Sequence, residues 1–456
     1  MKQSVYEHNY DVVIAGGGVS GSVAAIAAGR CGASVLVLEQ SGFLGGTLTG
    51  CGVGPMMTFH AGEKQVIKGI MQEIVDELVT RGYSVGHVKD TTQYISYLTP
   101  FSSEGLKLVL DEMVAGAGCD VLFHTFVGAA ETKDGRVTGL RVCNKDGIHT
   151  VTGKVIIDAT SDGDIAAFSG VAMTKGRELD GASQPMTMNM KYCNVDTDAL
   201  KEYVYQHLEE FERLKDHRDL IQSGEPFAVA GFDSIFKEAR EKGEISIQRE
   251  DILFFETSRK NEYIINTTRI LDHDSTDAVS LSDAEVLGRR QCAELDAFLR
   301  NYVPGFRNAL LEFTGPSVGV RGSRQLVGRY TLTADDIIAG KKFNSVVAHS
   351  GYPIDIHNPK GVGTETTFMS EWGAYYQIPY EIMVCDAMQN LLVTGRCVSA
   401  TFEAQAAIRT TPTAGALGQA SGIAAAMAAR NDSDTRTIDV KALQQELIRQ
   451  GAYLKI

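Results

Sequence analysis

Three glycines at fixed spacing, followed by a carboxylate, are the residues of this sequence best placed to bind a dinucleotide. Gly16, Gly18 and Gly21 come directly after an apolar run, and Glu39 ends the next apolar run. The first glycine permits a tight turn, the second lets the backbone approach a pyrophosphate, and the third lets a helix pack close to its strand. The helix N-terminus attracts phosphate, and Glu39 would accept hydrogen bonds from the adenosine ribose. The spacing therefore predicts a dinucleotide site.

Proton transfer and anion binding have a few candidates in the last third of the chain. His357 is the first candidate for a general base, because an imidazole titrates near neutral pH, and His349 is the second. Arg324 and Arg409 could orient a substrate, since a guanidinium donates a fork of hydrogen bonds to carboxylates or hydroxyls. For Arg321 a salt bridge that anchors a cap is favoured. A purely structural role is the alternative for each of the other candidates, which are His349, His357, Arg324 and Arg409.

The elements that must position these residues indicate a nucleotide-binding domain interrupted by an insertion. Residues 10–48 predict the first β-α-β unit, and an amphipathic helix is expected at 104–117. Three strands joined by Asp-Gly turns are expected at 120–131, 136–144 and 148–153, and a buried strand at 154–160 follows them. The segment 390–430 returns to the first pattern with a short apolar strand and a helix rich in Ala and Gly.

Three features favour FAD over NAD as the dinucleotide. The loop Gly45-Gly46-Thr47 follows the second strand, where it would run along the pyrophosphate and ribityl groups. The strands at 120–153 interrupt the nucleotide domain, as in two-domain flavoproteins. Gly395-Arg396 and the helix start at 412–422 bring the end of the chain back to the cofactor, where a helix N-terminus would stabilise the charge of reduced flavin.

We therefore predict an α/β fold with two domains. A Rossmann-like FAD-binding domain, built on a parallel sheet with a three-stranded β insertion, takes residues 1–174 and 386–456. An inserted α+β substrate or cap domain takes residues 175–385.

Composition and charge argue against several functional classes. The formal net charge of −14 would repel a nucleic acid, and no run of 18 apolar residues predicts a membrane span. The N-terminal residues are too polar for a secretory signal. The eight cysteines form no CxxC pair, which disfavours zinc, iron–sulfur clusters and a disulfide reductase mechanism. We expect a cytoplasmic protein without metal, nucleic-acid partner or membrane span.

Six segments at both ends and in the middle of the chain carry a family resemblance. They are DVVIAGGGVSGSVAAIAAGRCGASVLVLEQSGFLGG, KVIIDATSDGD, GVRGSRQLVGRYTLTADDI, GYPIDIH, YQIPY and NLLVTGRCVSATFEAQAAIRTTPTAGALGQASG. On these segments the chain resembles the FAD-dependent oxidoreductase family of the two-domain, glutathione-reductase-like flavoprotein superfamily. The resemblance implies FAD contacts at Gly16, Gly18, Ser20, Gly21, Glu39, Gln40, Gly45, Gly46, Thr47, Val127, Thr160, Asp162, Gly395, Arg396, Gly418 and Gln419.

One segment departs from the family pattern. Relatives often carry histidines in the segment that corresponds to 399–408, where this chain has Phe402 and Gln405. An acid–base role for that segment is therefore not carried over.

Together these features predict an FAD-dependent oxidoreductase that transfers a hydride between a small polar organic substrate and flavin N5. His357 would move the proton, while Arg324 and Arg409 orient the substrate. A carbohydrate-like substrate is implied by the resemblance alone. The alternatives are an FAD-binding protein with a sensor or structural role, a tRNA-modifying flavoprotein and an NAD-dependent dehydrogenase. The electron acceptor stays open, as does the formation of a homo-oligomer.

Overall fold

The first strand lies in the middle of a parallel sheet, because its side chains are apolar on both faces. In the computed structural model, which describes residues 5–456, Asn9–Ala15 pairs with Val35–Leu38 on one side and with Gly147–Asp158 on the other. Asp120–Leu122 and Leu391–Val393 extend the sheet at its two sides. This arrangement confirms the predicted Rossmann-like sheet and the return of the C-terminal segment to it.

The strand Gly147–Asp158 belongs to two sheets at once. Its second half is parallel to the first strand, and its first half is antiparallel to Arg136–Asn144, which pairs in turn with Phe126–Lys133. The three-stranded insertion is thus confirmed, although the strands expected at 148–153 and 154–160 are one continuous element. The expected strand from 120 to 131 is instead divided, because the backbone turns at His124 with a φ of 50°.

The first helix and the long C-terminal helix pack closely against each other. Val19–Arg30 and Thr411–Asn431 meet along small residues. A Cβ atom on Gly422 would lie 2.2 Å from the carbonyl oxygen of Ala24. Only glycine permits this approach, so the sequence of small residues fixes the distance between the two helices.

A second sheet has a core of its own. Its five antiparallel strands are, in spatial order, Ala228–Gly231, Ile252–Glu256, Tyr263–Ile265, Met190–Cys193 and Leu310–Thr314. Buried aromatic side chains fill this core together with one face of the helix Ala278–Tyr302. This is the predicted cap, with α and β elements.

The cap ends earlier in the chain than residue 385. Leu332, Val347 and Ile378 are buried in the same cluster as the first strand and the long C-terminal helix. The pair Val346–Ser350 and Tyr376–Pro379 therefore belongs to the nucleotide-binding domain. Its apolar residues pack on the long helix and not on the cap sheet, and this is the physical reason for the difference from the expected boundary.

The remaining elements are short. The other α-helices are Thr47–Gly50, Ile70–Thr80, Ser103–Gly116, Asp164–Phe168, Thr197–Gln206, Arg218–Ile221, Asp233–Glu241, Ala334–Ile338, Phe402–Ile408 and Val440–Arg449. The other strand pairs are His60–Ala61 with Lys64–Gln65, Val88–Lys89 with Tyr97–Leu98, Met173–Lys175 with Arg324–Leu326, and Ile354–His357 with Thr364–Thr367. Across residues 5–456, none of the helices has the length and apolar character needed to traverse a bilayer.

The contact between the two helices can be tested by adding one methyl group. We expect Gly422→Ala to lower the free energy of unfolding by about 1–3 kcal/mol, the usual cost of overpacking. Gly116→Ala is the matched control, because it also lies in a helix but a Cβ there meets no atom within 4 Å. Denaturant unfolding of both variants measures the difference. Equal stability of the two would contradict the proposed close packing.

Candidate active site

A cavity of about 310 Å³ lies between the nucleotide-binding domain and the cap sheet. One wall is formed by the turn after the first strand and by the start of the long C-terminal helix. The opposite wall is formed by strands of the cap and by the hairpin of Ile354–His357 and Thr364–Thr367. The carboxyl ends of parallel strands are where ligands bind in open α/β sheets. This cavity is therefore the candidate active site.

The glycine-rich turn leaves space that its own packing does not use. A Cβ atom on Gly18 would meet no atom closer than 3.8 Å, and its φ of −62° suits any residue. Gly18, Ser20, Gly46 and Thr47 all line the cavity. The open space beside Gly18 is what a closely approaching pyrophosphate requires. The turn therefore fits a dinucleotide.

The other two glycines of the motif serve the fold itself. A Cβ on Gly16, whose φ is 101°, would lie 2.4 Å from the carbonyl oxygen of Ala159. On Gly21 it would lie 1.9 Å from the carbonyl oxygen of Gly16. These contacts match the roles of tight turn and close helix packing that the motif predicts.

Glu39 lies at the end of the second strand, where its carboxylate stabilises two turns. One oxygen accepts a hydrogen bond from the Gly17 N–H at 2.7 Å, and the other accepts one from the Ser41 N–H at 2.7 Å. Each oxygen keeps a lone pair, since a carboxylate offers about four acceptor positions. Glu39 does not line the cavity in this structure, so its contact with a ribose remains a prediction.

The C-terminal segment brings a second set of polar groups to the same wall. Gly395 and Arg396 line the cavity, and so do Thr410 and Thr411 at the start of the long helix. Arg396 pairs with Asp162 at 2.9 Å, while its Nε is buried without a partner. An unpartnered guanidinium nitrogen beside a helix N-terminus suits an anionic or strongly polar ligand.

Ten of the predicted cofactor residues do not line the cavity: Gly16, Gly21, Glu39, Gln40, Gly45, Val127, Thr160, Asp162, Gly418 and Gln419. Gly418 packs against Ser20, where a Cβ would lie 2.2 Å from the carbonyl oxygen. Gln419 binds the backbone N–H of Ile70 at 3.2 Å and donates to the carbonyl of Gln450 at 3.1 Å. Both residues therefore hold the long helix in place.

On the opposite wall, Asp355 connects three side chains. Its Oδ2 accepts hydrogen bonds from Tyr352 at 3.0 Å and from Arg409 at 3.1 Å, and it lies 3.5 Å from Nε2 of His357. Burial alone would raise the pKa of Asp355, but His357 and Arg409 outweigh burial and hold that pKa well below its usual range. Asp355 is therefore a carboxylate at neutral pH.

His357 is a neutral imidazole in this environment. Burial, together with the positive charge of Arg321, lowers the pKa of His357 to about 3, although Asp355 acts in the opposite direction. Its Nδ1 lies 3.3 Å from the hydroxyl of Thr364, which also lines the cavity. A neutral histidine at the cavity wall has a lone pair that can accept a proton.

Arg321 also lies on the cavity wall. Its Nη1 donates to the carbonyl of Pro185 and to the hydroxyl of Thr187, both at 2.6 Å. Within residues 5–456, no carboxylate oxygen lies within 4.0 Å of this guanidinium. The sequence favoured a salt bridge for Arg321, and the structure does not contain one.

A chain of buried amides connects Arg321 to His357. Gln405 donates to the carbonyl of Arg321 at 2.8 Å, and Gln184 donates to Gln405 at 3.3 Å. The backbone N–H of His357 donates to Gln184 at 3.2 Å. The glutamine at position 405 therefore positions the two residues that face the cavity.

Two other sequence candidates lie outside the cavity. Arg324 pairs with Asp164 at 2.8 Å. His349 is 1% exposed and packs between the rings of Tyr375 and Tyr453, with centroid distances of 5.3 and 5.4 Å. The structure brings His357 and Arg409 together and places Arg324 and His349 elsewhere.

Sequence reasoning missed Asp355, although a signal was present. Asp355 and His357 are two residues apart on one strand, so their side chains share a face.

The described part of the chain contains no group of three or more His, Cys, Asp or Glu side chains able to hold a metal.

Comparison with known proteins gives a family match over most of the chain. A model described as "FAD dependent oxidoreductase" matches residues 11–447. Digeranylgeranylglycerophospholipid reductase 2 of Methanopyrus kandleri is 31% identical over 152 residues, which are 33% of this chain and 37% of that protein. Dihydrolipoamide dehydrogenase of Chaetomium thermophilum is 30% identical over 165 residues, 36% of this chain and 31% of that protein. The match thus spans about a third of these relatives.

Solved structures are also similar, at low sequence identity. A geranylgeranyl bacteriochlorophyll reductase-like protein from Thermoplasma acidophilum has a TM-score of 0.47 and 14% identity, covering 97% of this chain and 82% of that one. The p-nitrophenol 4-monooxygenase of Pseudomonas putida has a TM-score of 0.46 and 10% identity, covering 96% and 84%.

The space beside Gly18 provides a test of the cofactor wall. We expect Gly18→Ala to fold normally, since its Cβ meets no atom within 3.4 Å, but to bind FAD at least about tenfold more weakly, a loss of about 1.4 kcal/mol. Flavin fluorescence during titration of the apoprotein measures the dissociation constant. Gly116→Ala serves as the control. Unchanged FAD affinity would place the pyrophosphate elsewhere.

Proposed function

The chain belongs to the FAD dependent oxidoreductase family, and on that premise we propose that it transfers a hydride between a small polar organic substrate and FAD in the cavity. One observation carries the proposal. The glycine-rich turn and the His357–Asp355–Arg409 cluster line the same cavity from opposite walls. A cofactor and a proton acceptor would thus face one substrate.

FAD would be held by the wall that fits a dinucleotide. Gly18 would leave room for the pyrophosphate, Gly46 packs against the backbone of Gly18, and Ser20 and Thr47 would offer hydroxyl groups. Arg396 and the start of the long helix would stabilise negative charge. When bound, FAD supplies an acceptor for the hydride that leaves the substrate C–H bond.

His357 would take the proton that accompanies the hydride. As a CH–OH group becomes C=O, the hydroxyl proton would move to Nδ1 of His357, the nitrogen next to Thr364. Asp355, 3.5 Å from Nε2, would orient the ring and stabilise the imidazolium that forms. Arg409 keeps Asp355 ionised for this task.

Arg409 and Arg321 would orient the substrate, because both line the cavity. Arg324 would not, because it pairs with Asp164 outside the cavity. The cavity wall also includes Asn189 and Asn266, whose Oδ1 atoms are buried without partners. Such acceptors suit the hydroxyl groups of a carbohydrate-like molecule. These atoms support the substrate class that the resemblance implied.

Replacement of the imidazole tests the role of His357. We expect His357→Gln to slow anaerobic flavin reduction by about 10²–10⁴-fold, the usual contribution of a general base, while FAD content is unchanged. Stopped-flow absorbance with a substrate found among polyols, sugars and hydroxy acids measures the rate. His349→Gln is the control, since His349 lies outside the cavity. Reduction of His357→Gln at the wild-type rate would exclude the proposed base.

The pH profile has a distinct expected form. Because burial and Arg321 lower the pKa of His357 to about 3, kcat/KM should stay constant through the region near pH 6.5, where an ordinary histidine titrates. Removing the positive charge in Arg321→Gln favours the imidazolium and raises that pKa. The acidic limb of the variant should therefore move towards higher pH. An acidic limb near pH 6.5 in the wild type would contradict this account.

A further inference from the structure

We propose that the substrate carries a carboxylate and that Arg321 binds it. This inference rests on the proposed function and names the substrate class for the same cavity. It differs from the sequence expectation, which favoured a structural salt bridge for Arg321.

The charges around the cavity leave Arg321 without a carboxylate partner. Three other guanidiniums that line the cavity are each paired: Arg249 with Asp251 at 3.0 Å, Arg396 with Asp162 at 2.9 Å, and Arg409 with Asp355 at 3.1 Å. A fifth lining arginine, Arg213, is exposed and lies over the ring of Tyr94. Arg321 therefore differs from the three paired arginines: in the described part of the chain, its partly buried guanidinium has no carboxylate oxygen within 4.0 Å.

The other acidic side chains of the cavity are engaged elsewhere. Asp90 accepts hydrogen bonds from the hydroxyl of Thr92 and from the backbone N–H groups of Tyr94 and Ile95. Glu250 accepts one from the backbone N–H of Gly363. Asp355 is the carboxylate whose charge reaches Arg321, but it is paired with Arg409, so the guanidinium fork of Arg321 stays available to an incoming anion.

Arg321 is held in a fixed position that leaves donors available. Two hydrogen bonds fix Nη1, and Gln405 holds the backbone carbonyl. The remaining donors, Nε and Nη2, have no partner within residues 5–456, and the side chain keeps part of its surface accessible on the cavity wall. A guanidinium fork of this kind matches the two oxygens of a carboxylate.

The energetics favour an anion at this point. Burial and the nearby charge of Arg409 and Arg249 lower the pKa of Arg321 well below its ordinary value. A cation in such surroundings is costly unless an anion accompanies it. The wall that we propose for FAD and the base His357 line the same cavity, so a substrate carboxylate is the anion that would offset this cost.

Binding of the carboxylate would also change the base. Arg321, Arg409 and Asp355 are the charged groups that act on His357, and Thr364 is its neutral neighbour. Neutralising Arg321 removes a positive charge that disfavours the imidazolium. A bound carboxylate would therefore make His357 a stronger base at the moment when the substrate is present.

The experiment compares carboxylates with their amides, which have the same shape without the charge. The holoenzyme is titrated without oxygen with glycolate, lactate, malate and gluconate and with glycolamide, lactamide, malamide and gluconamide. Shifts of the flavin absorption bands report binding, and bleaching of those bands reports hydride transfer. The variants are Arg321→Gln, Arg321→Lys, and Arg259→Gln as a control on an exposed guanidinium outside the cavity.

We expect at least one carboxylate to bind the wild type at least about tenfold more tightly than its amide, which corresponds to about 1.4 kcal/mol. In Arg321→Gln this preference should fall below about twofold, about 0.4 kcal/mol. Arg321→Lys should keep part of it, and Arg259→Gln should keep all of it. FAD content should be the same in the four proteins.

Three results would overturn the inference. They are equal binding of carboxylates and amides, absence of binding by all four carboxylates, and loss of FAD in Arg321→Gln, which would make Arg321 a cofactor ligand. The proposed function fails separately. Selective binding of a carboxylate without bleaching of the flavin would support the anion site and count against hydride transfer. Bleaching by the amides alone would support hydride transfer and count against the anion site.

Discussion

The close contact between the first helix and the long C-terminal helix is the constraint on which the site depends. Glycines of the long helix lie against backbone carbonyls of the first helix, so the two helix axes approach as closely as the main chain allows. The helices begin at Val19 and Thr411, and both residues line the cavity. Two N-termini with free N–H groups thus face the same space.

The opposite wall is governed by an unequal distribution of charge. Asp355 is one carboxylate shared among Tyr352, Arg409 and His357, and Arg321 has no carboxylate of its own. Burial, together with the positive charge of Arg321, lowers the pKa of His357 and keeps the imidazole neutral. At a site with this excess of positive charge, the binding free energy is most favourable for a ligand that supplies a negative charge. The recognition and the proton transfer that we propose would therefore depend on one electrostatic arrangement.

Local features of the chain were predictable from the sequence, and contacts across the fold were not. The strand, glycine turn and helix at residues 9–30 were predicted correctly, because spacing alone determines them. Arg321 lies in an irregular segment and Arg324, three residues later, begins a short strand, so no periodicity indicates which one faces a cavity. The cap boundary expected at residue 385 lies earlier in the chain, because Leu332, Val347 and Ile378 pack in the core of the nucleotide-binding domain. Tertiary packing of the cap decides such boundaries, and propensity is a weak guide to them.

The cavity wall joins residues from the two ends of the chain, and this has a consequence for biosynthesis. Gly18 leaves the ribosome early, whereas Thr410 and Thr411 follow almost four hundred residues later. Domains form progressively during translation, and long-range contacts form last. The wall that we propose for FAD is thus incomplete until Thr410 and Thr411 have been synthesised. We therefore expect FAD to find its complete site only after these last residues have folded onto the first helix.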